Sequence, residues 1–165
     1  MSQKFCADEL IIRDLRSEEV HLLRGFLYDS IFIPAGEEHP DISITDRPEL
    51  QVYIRNFGSM KDDKCLVAEV NGEVIGAVWC RIMNDYGHID DETPSFAISV
   101  RKEYRRQGIG TALMMNIIAA LKQAGYSQAS LSVQKANYAV KMYQHLGFEV
   151  FAENDGEYIM RINLT

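Results

Sequence analysis

Residues 104–111, with the sequence YRRQGIGT, form the stretch around which the rest of the chain is organised. The stretch joins an apolar, strand-like run, Phe96 to Val100, to a run of helical periodicity that begins near Ile109. A strand that turns sharply into a helix leaves the first N–H groups of the helix without partners. Together with the helix macrodipole, these groups form an anion site. The sequence therefore predicts a phosphate-binding turn.

Two glycines and two arginines give this turn its chemistry. Without a Cβ at Gly108 and Gly110, the backbone can come close to a diphosphate, and Arg105 and Arg106 add charged donors at its edge. The turn lacks the GKS/T ending of a P-loop and the three-glycine GxGxxG fingerprint of dinucleotide-binding folds. Taken alone, the pattern is compatible with a phosphate site and with an ordinary strand-to-helix turn.

Two motifs in the chain resemble those of a known family. Arg105, Gly108 and Gly110 fall on the fixed positions of R/Q-x-x-G-x-G/A, the acetyl-CoA pyrophosphate signature of the GNAT superfamily of N-acetyltransferases. The preceding residues 98–104 are similar to that family's fourth strand and its exit. Downstream, residues 137–148, NYAVKMYQHLGF, resemble the family's N-x-A-x-x-x-Y-x-x-x-G-F segment without a gap. Because both motifs match in the expected order, the chain is identified as a member of this superfamily.

Length and composition limit the class of protein. A chain of 165 residues is long enough for one domain with a full core and too short for two ordinary ones, so we expect a single domain over residues 1–165. No apolar run approaches the length of a membrane span, and the N-terminus has no signal-peptide core. The net charge of −7 argues against a nucleic-acid binder, because phosphate contacts need clustered Lys and Arg.

The cysteines and histidines give no sign of a metal site. Cys6, Cys65 and Cys80 are scattered without CxxC spacing, and none of the four histidines has the spacing of a metal pair. We therefore expect no metal and a reducing cytoplasm, with neither nucleic acid nor a membrane as partner. We expect a monomer or a homodimer, and the acidic charge is compatible with a cationic amine as substrate.

The order of predicted elements is β-α-α-β-β-β-α-β-α-β-β. Asn71-Gly72 between two β-rich runs predicts an antiparallel hairpin, and the helix between strands four and five predicts a parallel pair. We expect an α/β fold of the α+β type: a mixed, mostly antiparallel seven-stranded sheet flanked by helices, with the splayed strands four and five of the GNAT arrangement. The predicted strands cover residues 9–15, 65–70, 74–82, 94–100 and 129–133 and a closing hairpin in 148–162. The predicted helices begin near Ser17, Pro48, Ile109 and Asn137 and end near Ile31, Gly58, Gly125 and Gly147.

The resemblance implies how acetyl-CoA, the cosubstrate of the family, would bind. Edge amides of strand four, here Ile98, Ser99 and Val100, would pair with its pantetheine arm, and the Val100 N–H would face the thioester carbonyl as an oxyanion donor. The alternative, that Ile98 and Val100 are core positions, concerns their side chains and is compatible with a backbone role. The predicted cofactor-binding residues are Ile98, Ser99, Val100, Arg105, Arg106, Gln107, Gly108, Ile109, Gly110, Thr111, Asn137 and Tyr143.

Asn137 and Tyr143 carry the second motif. In the resembling family the asparagine bonds the pantetheine or the neighbouring backbone, and the alternative for Asn137 is a helix N-cap. Tyr143 falls where the family places a tyrosine general acid beside the departing CoA sulfur. Phenol and thiol pKa values of about 10 and 8.5 allow such a proton transfer. A buried aromatic residue with a packing role is the alternative for Tyr143. The predicted catalytic residues are Tyr143 and Val100.

Neither motif identifies the base that deprotonates the acceptor amine. We expect the acceptor site to be built from two long aperiodic loops, Phe32 to Arg47 and Asn84 to Glu92. The base candidates are Glu69, Asp90, Asp91, Glu92 and Ser95, although an acidic run is also typical of a solvated loop. Aromatic residues that could line an acceptor pocket are Trp79, Tyr86, Tyr28 and Phe32, and the histidines expected near its mouth are His39 and His88.

Three functions are compatible with the sequence. The first is an enzyme that transfers acetyl from acetyl-CoA to a primary amine of a small molecule or peptide, by direct attack in a ternary complex. The second is an acyl-CoA-binding regulatory or sensor module without turnover, against which Tyr143 and the two intact glycines argue. The third is a nucleotide-binding protein, which lacks the Walker lysine here. The sequence does not specify the acceptor.

Overall fold

A computed structural model describes residues 9–165, which form one seven-stranded sheet with helices on both faces. The strands are β1 (Leu10–Asp14), β2 (Lys64–Val70), β3 (Glu73–Arg81), β4 (Ser95–Val100), β5 (Gln128–Gln134), β6 (Glu149–Glu153) and β7 (Glu157–Asn163). The α-helices are α1 (Leu23–Ser30), α2 (Pro48–Gln51), α3 (Ile109–Gln123) and α4 (Ala139–Leu146). The strand order is β1-β2-β3-β4-β5-β7-β6, and the paired strands are antiparallel except β4 and β5. The predicted fold class is confirmed.

The hairpin between β2 and β3 forms at the predicted turn. Asn71 and Gly72 both have positive φ, 51° and 81°. Positive φ at both central residues is the geometry of a type I′ turn, whose twist matches that of the flanking strands. The turn pairs Val70 with Glu73 and sets the register of the two central strands.

The side chains of β3 point alternately to the two faces of the sheet, and both faces are buried. Ala77 and Trp79 belong to the same buried cluster as Phe26 of α1, whereas Val78 belongs to the cluster that contains Leu113 of α3. The helices therefore cover the sheet from both sides, and their apolar stripes supply the core. Among residues 9–165, none of the helices combines the length and the apolar character that crossing a membrane requires.

β4 and β5 lie side by side at one end and separate at the other. The strands are paired at Ser95 and Ser130, where the Ser130 N–H donates to the Pro94 carbonyl at 3.0 Å. Within the described chain no further pair joins them, so the strands diverge toward Val100 on β4 and Gln134 on β5. The divergence leaves one edge of β4 without a strand partner in the middle of the sheet.

The segment before α1 differs from its prediction. A single helix was predicted from Ser17 to Ile31, but Ser17–Leu22 form a 3-10 helix and α1 begins afterwards. The Arg16 N–H donates to Glu19 Oε1 at 2.9 Å, and Arg13 of β1 holds the same carboxylate at 2.8 Å. The hydrogen bond from Arg13 lowers the pKa of Glu19 to about 2. Charge contacts with β1, rather than a serine cap, therefore fix the first turn.

α2 is shorter than predicted. The spacing of apolar residues predicts a helix from Pro48 to Gly58, but α2 ends at Gln51 and a series of turns follows. Side chains of β3 donate hydrogen bonds to backbone carbonyl groups of the segment that would otherwise continue the helix. Trp79 Nε1 donates to the Tyr53 carbonyl at 3.0 Å, and Arg81 donates to two more carbonyl groups of the segment at 2.8 and 3.2 Å. Tertiary contacts thus override the local helical pattern.

Candidate active site

A cavity of about 520 Å³ opens beside the separated edge of β4. Its walls come from β4, the first turn of α3, the start of α4, and the end of α1 with the segment that follows. The predicted cofactor-binding residues that line it are Ile98, Ser99, Val100, Arg105, Arg106, Gly108, Ile109, Gly110, Thr111, Asn137 and Tyr143. Gln107, which was also predicted, does not line it. Lys102, Tyr104 and Met142 also line the cavity and were not identified from the sequence.

The turn before α3 presents a run of unpaired backbone N–H groups to this cavity. From Arg106 to Thr111, no N–H donates a hydrogen bond to a described residue, and the Ala112 N–H donates to the Gly108 carbonyl at 3.0 Å. Arg106 and Gly108 have left-handed backbone conformations, with φ of 63° and 84°. Successive N–H groups in such a turn form a concave anion-binding nest at the N-terminus of the helix. The arrangement can hold a phosphate group.

Gly108 and Gly110 keep this turn open for different reasons. Gly108 has a φ that residues with a side chain rarely adopt, so the backbone itself requires glycine there. Gly110 is helical, and a Cβ added to it would meet no atom closer than Met142 Sδ at 3.9 Å. The other atoms near that Cβ position belong to Ile98 and Val100, which also line the cavity. A side chain at position 110 would therefore fit the protein and occupy space in the cavity.

β4 directs two backbone N–H groups toward the cavity. The Arg101 N–H donates to the Ile75 carbonyl of β3 at 2.8 Å. Because N–H directions alternate along a strand, the Ser99 N–H points toward β3 as well, and those of Ile98 and Val100 point toward the open edge. The Ser99 hydroxyl donates to a carbonyl of α1 at 2.7 Å. Ile98 and Val100 thus carry the free edge amides, and Ser99 has a structural contact.

Cationic side chains surround the mouth of the cavity. Arg105 makes two hydrogen bonds to backbone carbonyl groups at this mouth. Its Nε donates to the Val100 carbonyl at 2.9 Å, and its Nη2 donates to the Asp29 carbonyl at 3.2 Å. These bonds tie the exit of β4 to the end of α1. Lys102 and Arg106 line the cavity without an ion pair to any residue in the described part of the chain. The cavity is therefore positively charged beside the unpaired N–H groups.

Tyr143 lies on the buried face of α4. Its side chain is 7% exposed, and its ring meets that of Phe148 edge to face with centroids 5.8 Å apart. The hydroxyl makes no hydrogen bond with a described residue. Burial raises the pKa of the Tyr143 phenol, so the proton stays on the oxygen at neutral pH. The residue has the packing role and also lines the cavity.

Asn137 has the helix-capping contact that was the alternative to a ligand role. Its Oδ1 accepts a hydrogen bond from the Ala139 N–H at 2.9 Å, at the start of α4. The residue also lines the cavity, and its side-chain nitrogen donates to no described residue. A cap and a ligand contact can therefore coexist at Asn137, because they use different atoms.

A second cavity, of about 180 Å³, adjoins the first. The residues that line both and form their junction are Ser30, Ile31, Phe32, Ile98, Asn137 and Tyr143. Beyond the junction, the walls are mostly aliphatic and aromatic. The polar residues there are Tyr53, Tyr86, Ser132, Gln134 and Glu157. No Lys, Arg or His of the described chain lines this cavity, so it favours a neutral or cationic ligand.

The sequence profile of the Acetyltransferase (GNAT) family matches residues 27–148, which include the unpaired N–H groups, the free edge of β4 and Tyr143. The chain belongs to the GNAT acetyltransferase family. Its splayed strands and glycine turn are therefore features of a GNAT fold.

Curated relatives of this GNAT protein are named as N-acetyltransferases. Probable N-acetyltransferase camello of Xenopus tropicalis is 34% identical over 94 residues, covering 54% of this chain and 41% of that protein. An N-alpha-acetyltransferase of Sulfurisphaera tokodaii is 32% identical over 110 residues, covering 57% and 65%. The ribosomal protein bS18-alanine N-acetyltransferase of Escherichia coli is 39% identical over 59 residues, covering 35% and 40%. The chain spans less than two thirds of each relative, and the names support acetyl transfer as the reaction class.

Solved structures share the whole fold at low sequence identity. An N-acetyltransferase from Staphylococcus aureus Mu50 aligns with a TM-score of 0.71 and 18% identity, covering 94% of this chain and 99% of that one. The PaiA N-acetyltransferase from Thermoplasma acidophilum, in complex with coenzyme A, aligns with a TM-score of 0.67 and 19% identity, covering 93% and 98%. At these identities the likeness establishes the fold alone.

A buried carboxyl group behind the second cavity was not identified from the sequence. The Ser95 hydroxyl donates to Asp85 Oδ2 at 2.9 Å, whereas the buried Oδ1 accepts no hydrogen bond from a described residue. The Tyr53 hydroxyl and the Gly87 N–H interact more weakly with the same carboxyl group, and burial raises the pKa of Asp85. The predicted loop Asn84 to Glu92 contains Asp85, but nothing in the sequence separates this residue from the other acids of the loop.

The five predicted base candidates have other contacts, and none lines either cavity. Glu69 pairs with Arg13 at 3.2 Å. Asp90 accepts a hydrogen bond from Thr93 at 2.7 Å, and that bond lowers its pKa. Ser95 donates to Asp85, and Asp91 and Glu92 are exposed on the loop. The geometry therefore favours none of these residues as the base.

The predicted aromatic and histidine residues divide between the two cavities and the core. Tyr28 and His39 line the first cavity, Tyr86 lines the second, and Phe32 lines both. Trp79 is fully buried and lines neither, so it is a core residue. His88 lines neither cavity; its Nδ1 lies 2.8 Å from the Met83 carbonyl.

Proposed function

We propose that this chain transfers the acetyl group of acetyl-CoA to a primary amine of a small molecule or a peptide, by direct attack in a ternary complex. The meeting of two cavities at Tyr143 carries this proposal. The first offers unpaired N–H groups and cationic side chains to an extended anionic cosubstrate. The second is lined by Glu157 and by no basic residue among those described, and it suits an amine. Because the cavities are distinct and share a junction, both ligands can be present when the acetyl group moves.

The residues of the first cavity fit acetyl-CoA. The N–H groups from Arg106 to Thr111 would hold the pyrophosphate, with Lys102 and Arg106 beside it. The N–H groups of Ile98 and Val100 would pair with the pantetheine arm as an added strand does at a sheet edge. Acetyl-CoA supplies a carbonyl carbon activated as a thioester. The Val100 N–H would donate to the carbonyl oxygen as negative charge develops there, a role worth about 3 kcal/mol of barrier.

Tyr143 would provide the proton that the departing sulfur requires. Its raised pKa keeps the hydroxyl protonated before the reaction, and the oxygen has no competing hydrogen-bond partner among the described residues. Tyr143 lines both cavities, which supports a position for its hydroxyl near the place where the two ligands would meet. No covalent acetyl-enzyme is needed, because the amine reaches the thioester directly.

The relatives support an amine acceptor of this general kind. The Sulfurisphaera tokodaii protein is named an N-alpha-acetyltransferase, and the Escherichia coli protein acts on an alanine of a ribosomal protein, by its name. The first name describes acetylation of an α-amino group, which is a primary amine, and the second describes N-acetylation of an alanine. The aliphatic and aromatic walls of the second cavity and its Glu157 side chain are compatible with such a group.

The test of this proposal is incubation of the protein with acetyl-CoA and a panel of primary amines, including peptides with free N-termini, with release of free thiol as the readout. We expect amine-dependent thiol release for at least one class of amine. Acetyl-CoA binding without release for any amine would indicate a sensor module instead. Absence of acetyl-CoA binding would contradict the assignment of the first cavity.

The Gly110→Gln variant is predicted to fold and to bind acetyl-CoA about 10 to 100 times more weakly, because one or two charge-assisted hydrogen bonds to the pyrophosphate would be lost. Calorimetric titration with acetyl-CoA measures the effect, and circular dichroism checks the fold. Gly110→Ala is the matched control, since its Cβ meets only ordinary contacts and alanine favours a helix. Equal affinity in wild type and Gly110→Gln would place the pyrophosphate elsewhere.

A further inference from the structure

The strand register places Ser132 close to the junction of the two cavities. Because Ser95 pairs with Ser130 in parallel β strands, Ser132 lies level with Ala97, one residue short of Ile98 at the junction. Both Ser132 and Ala97 line the second cavity. An amine that attacks an acetyl group held at Ile98 and Val100 would therefore arrive past Ser132.

Tyr53 lies near both Ser132, beside the junction of the two cavities, and the carboxyl group of Asp85. Burial and the neighbouring Asp85 carboxylate raise the pKa of the Tyr53 phenol, and Ser132 also lies near its hydroxyl. Tyr53 lines the second cavity. Asp85 does not line the cavity, whereas Tyr53 does, so Tyr53 is the residue of this pair that a ligand there would meet. The tyrosine hydroxyl can accept a hydrogen bond from a ligand while it donates one to a carboxylate.

Asp85 has the properties of a proton acceptor. One oxygen accepts a hydrogen bond from Ser95 at 2.9 Å, and the other, Oδ1, is buried without a hydrogen bond from the described residues. A buried polar atom left unsatisfied costs free energy, so its presence requires an explanation such as a functional role. Burial also raises the pKa of Asp85, which makes the carboxylate a stronger base than an exposed one.

We propose that the Asp85 carboxylate takes up the proton that the acceptor ammonium must lose before it attacks, and that the Tyr53 hydroxyl relays it. This inference rests on the proposed function. Tyr53 is then the residue that contacts the acceptor, and Asp85 acts through it. The acceptor class is a primary amine that enters as its ammonium ion on a mainly apolar stem, in a cavity whose lining carboxylate is Glu157.

The protons balance along this route. The ammonium gives one proton to Tyr53 while the original Tyr53 proton passes to Asp85, so the hydroxyl is regenerated and a neutral amine remains. The amine lone pair forms the bond to the carbonyl carbon, and the carbon–sulfur bond breaks with its electron pair left on sulfur. The thiolate gains a proton from Tyr143, which is replaced by the second proton lost from nitrogen. Asp85 later releases its proton to solvent.

A structural role for Asp85 and a role as proton acceptor predict different effects on kcat/KM when its charge is removed. Asp85 could simply anchor its loop to β4 through Ser95, and removal of its charge would then affect all acceptors alike. A proton acceptor, in contrast, matters little for an amine that is already unprotonated at the assay pH. The pKa of the amine therefore separates the two roles at one fixed pH.

The experiment measures kcat/KM at pH 7 for the best alkylamine acceptor and for a fluorinated analogue of it whose ammonium pKa lies below the assay pH. With Asp85→Asn, we expect a loss of about 10²–10⁴ for the alkylamine and less than about tenfold for the analogue. Tyr53→Phe should give the same pattern, and the double variant should be no worse than either single one. Asp155→Asn, an exposed carboxylate on the turn between β6 and β7, is the control and should leave both values unchanged.

The outcomes separate failure of this inference from failure of the proposed function. Equal losses for both amines in Asp85→Asn and Tyr53→Phe, or no loss in either variant, would overturn the relay while wild-type turnover still supported acetyl transfer. If Asp85→Asn does not fold, the Tyr53→Phe result decides alone. If wild type acetylates no amine, the proposed function fails and the relay fails with it. Acetyl-CoA affinity should remain at the wild-type value in all variants.

Discussion

The Tyr143→Phe variant is expected to fold like wild type and to lose a factor of about 10²–10⁴ in kcat, the usual contribution of a positioned general acid. Phenylalanine keeps the ring that packs against Phe148 and removes the hydroxyl that would protonate the CoA sulfur. Acetyl-CoA affinity should change little. The measurement is kcat with the best acceptor, under conditions where chemistry limits the rate, together with the cofactor Kd and the melting temperature.

Tyr143→Ala is the companion variant that isolates the packing role. Because Tyr143 is almost fully buried, its truncation should lower the free energy of unfolding by about 3–5 kcal/mol through the cavity it leaves. A phenylalanine variant within about threefold of wild-type kcat would contradict the acid role and assign the proton transfer to water. The two variants together therefore separate chemistry from packing at a single position.

Replacement of Asp63 by alanine is predicted to lower the free energy of unfolding by about 3–5 kcal/mol, because it leaves a buried arginine without its partner. The side chain of Asp63 is completely buried, and its carboxylate receives two hydrogen bonds from Arg81, at 3.0 and 3.1 Å. It also accepts hydrogen bonds from two backbone N–H groups of the preceding turn, at 2.9 and 3.2 Å. Urea unfolding of wild type and Asp63→Ala measures the difference.

The double variant Asp63→Ala with Arg81→Met is the control for this ion pair. Removal of both charges should recover part of the loss, since no uncompensated charge remains buried. A loss below about 1 kcal/mol in Asp63→Ala would show that the pair contributes no more than a surface ion pair. The same arginine holds the turns that carry Tyr53, so the stability of this pair and the proposed proton relay depend on one segment.

Local sequence signals predicted most of the secondary-structure elements that surround the site. The hairpin at Asn71-Gly72, the helix that begins at Ile109 and the helix that carries Tyr143 each follow from turn chemistry or periodicity within about 15 residues. Glycine at position 108 is required by the backbone conformation of that very residue. Features that depend on neighbouring residues alone were therefore visible in the sequence.

Features that depend on distant residues were not visible. α2 ends early because Trp79 and Arg81 of β3 donate hydrogen bonds to the carbonyl groups of the residues that follow it. The base candidates from the sequence did not include Asp85, whereas the fold brings Tyr53, Asp85 and Ser132 near one another from three separate segments. No periodicity or motif marks such a group. The alternation of N–H directions along β4, which points the Ser99 N–H toward β3, also required the strand pairing to be known.

The central claim, that acetyl-CoA lies along the free edge of β4 with its pyrophosphate on the turn before α3, is tested most directly by amide NMR during titration with acetyl-CoA. We expect the largest shifts at the N–H groups of Gly108, Gly110, Ile98 and Val100, while those of β6, at the far edge of the sheet, remain unchanged. Saturable shifts confined to residues outside the first cavity, or the absence of shifts at Gly108 and Gly110, would contradict it.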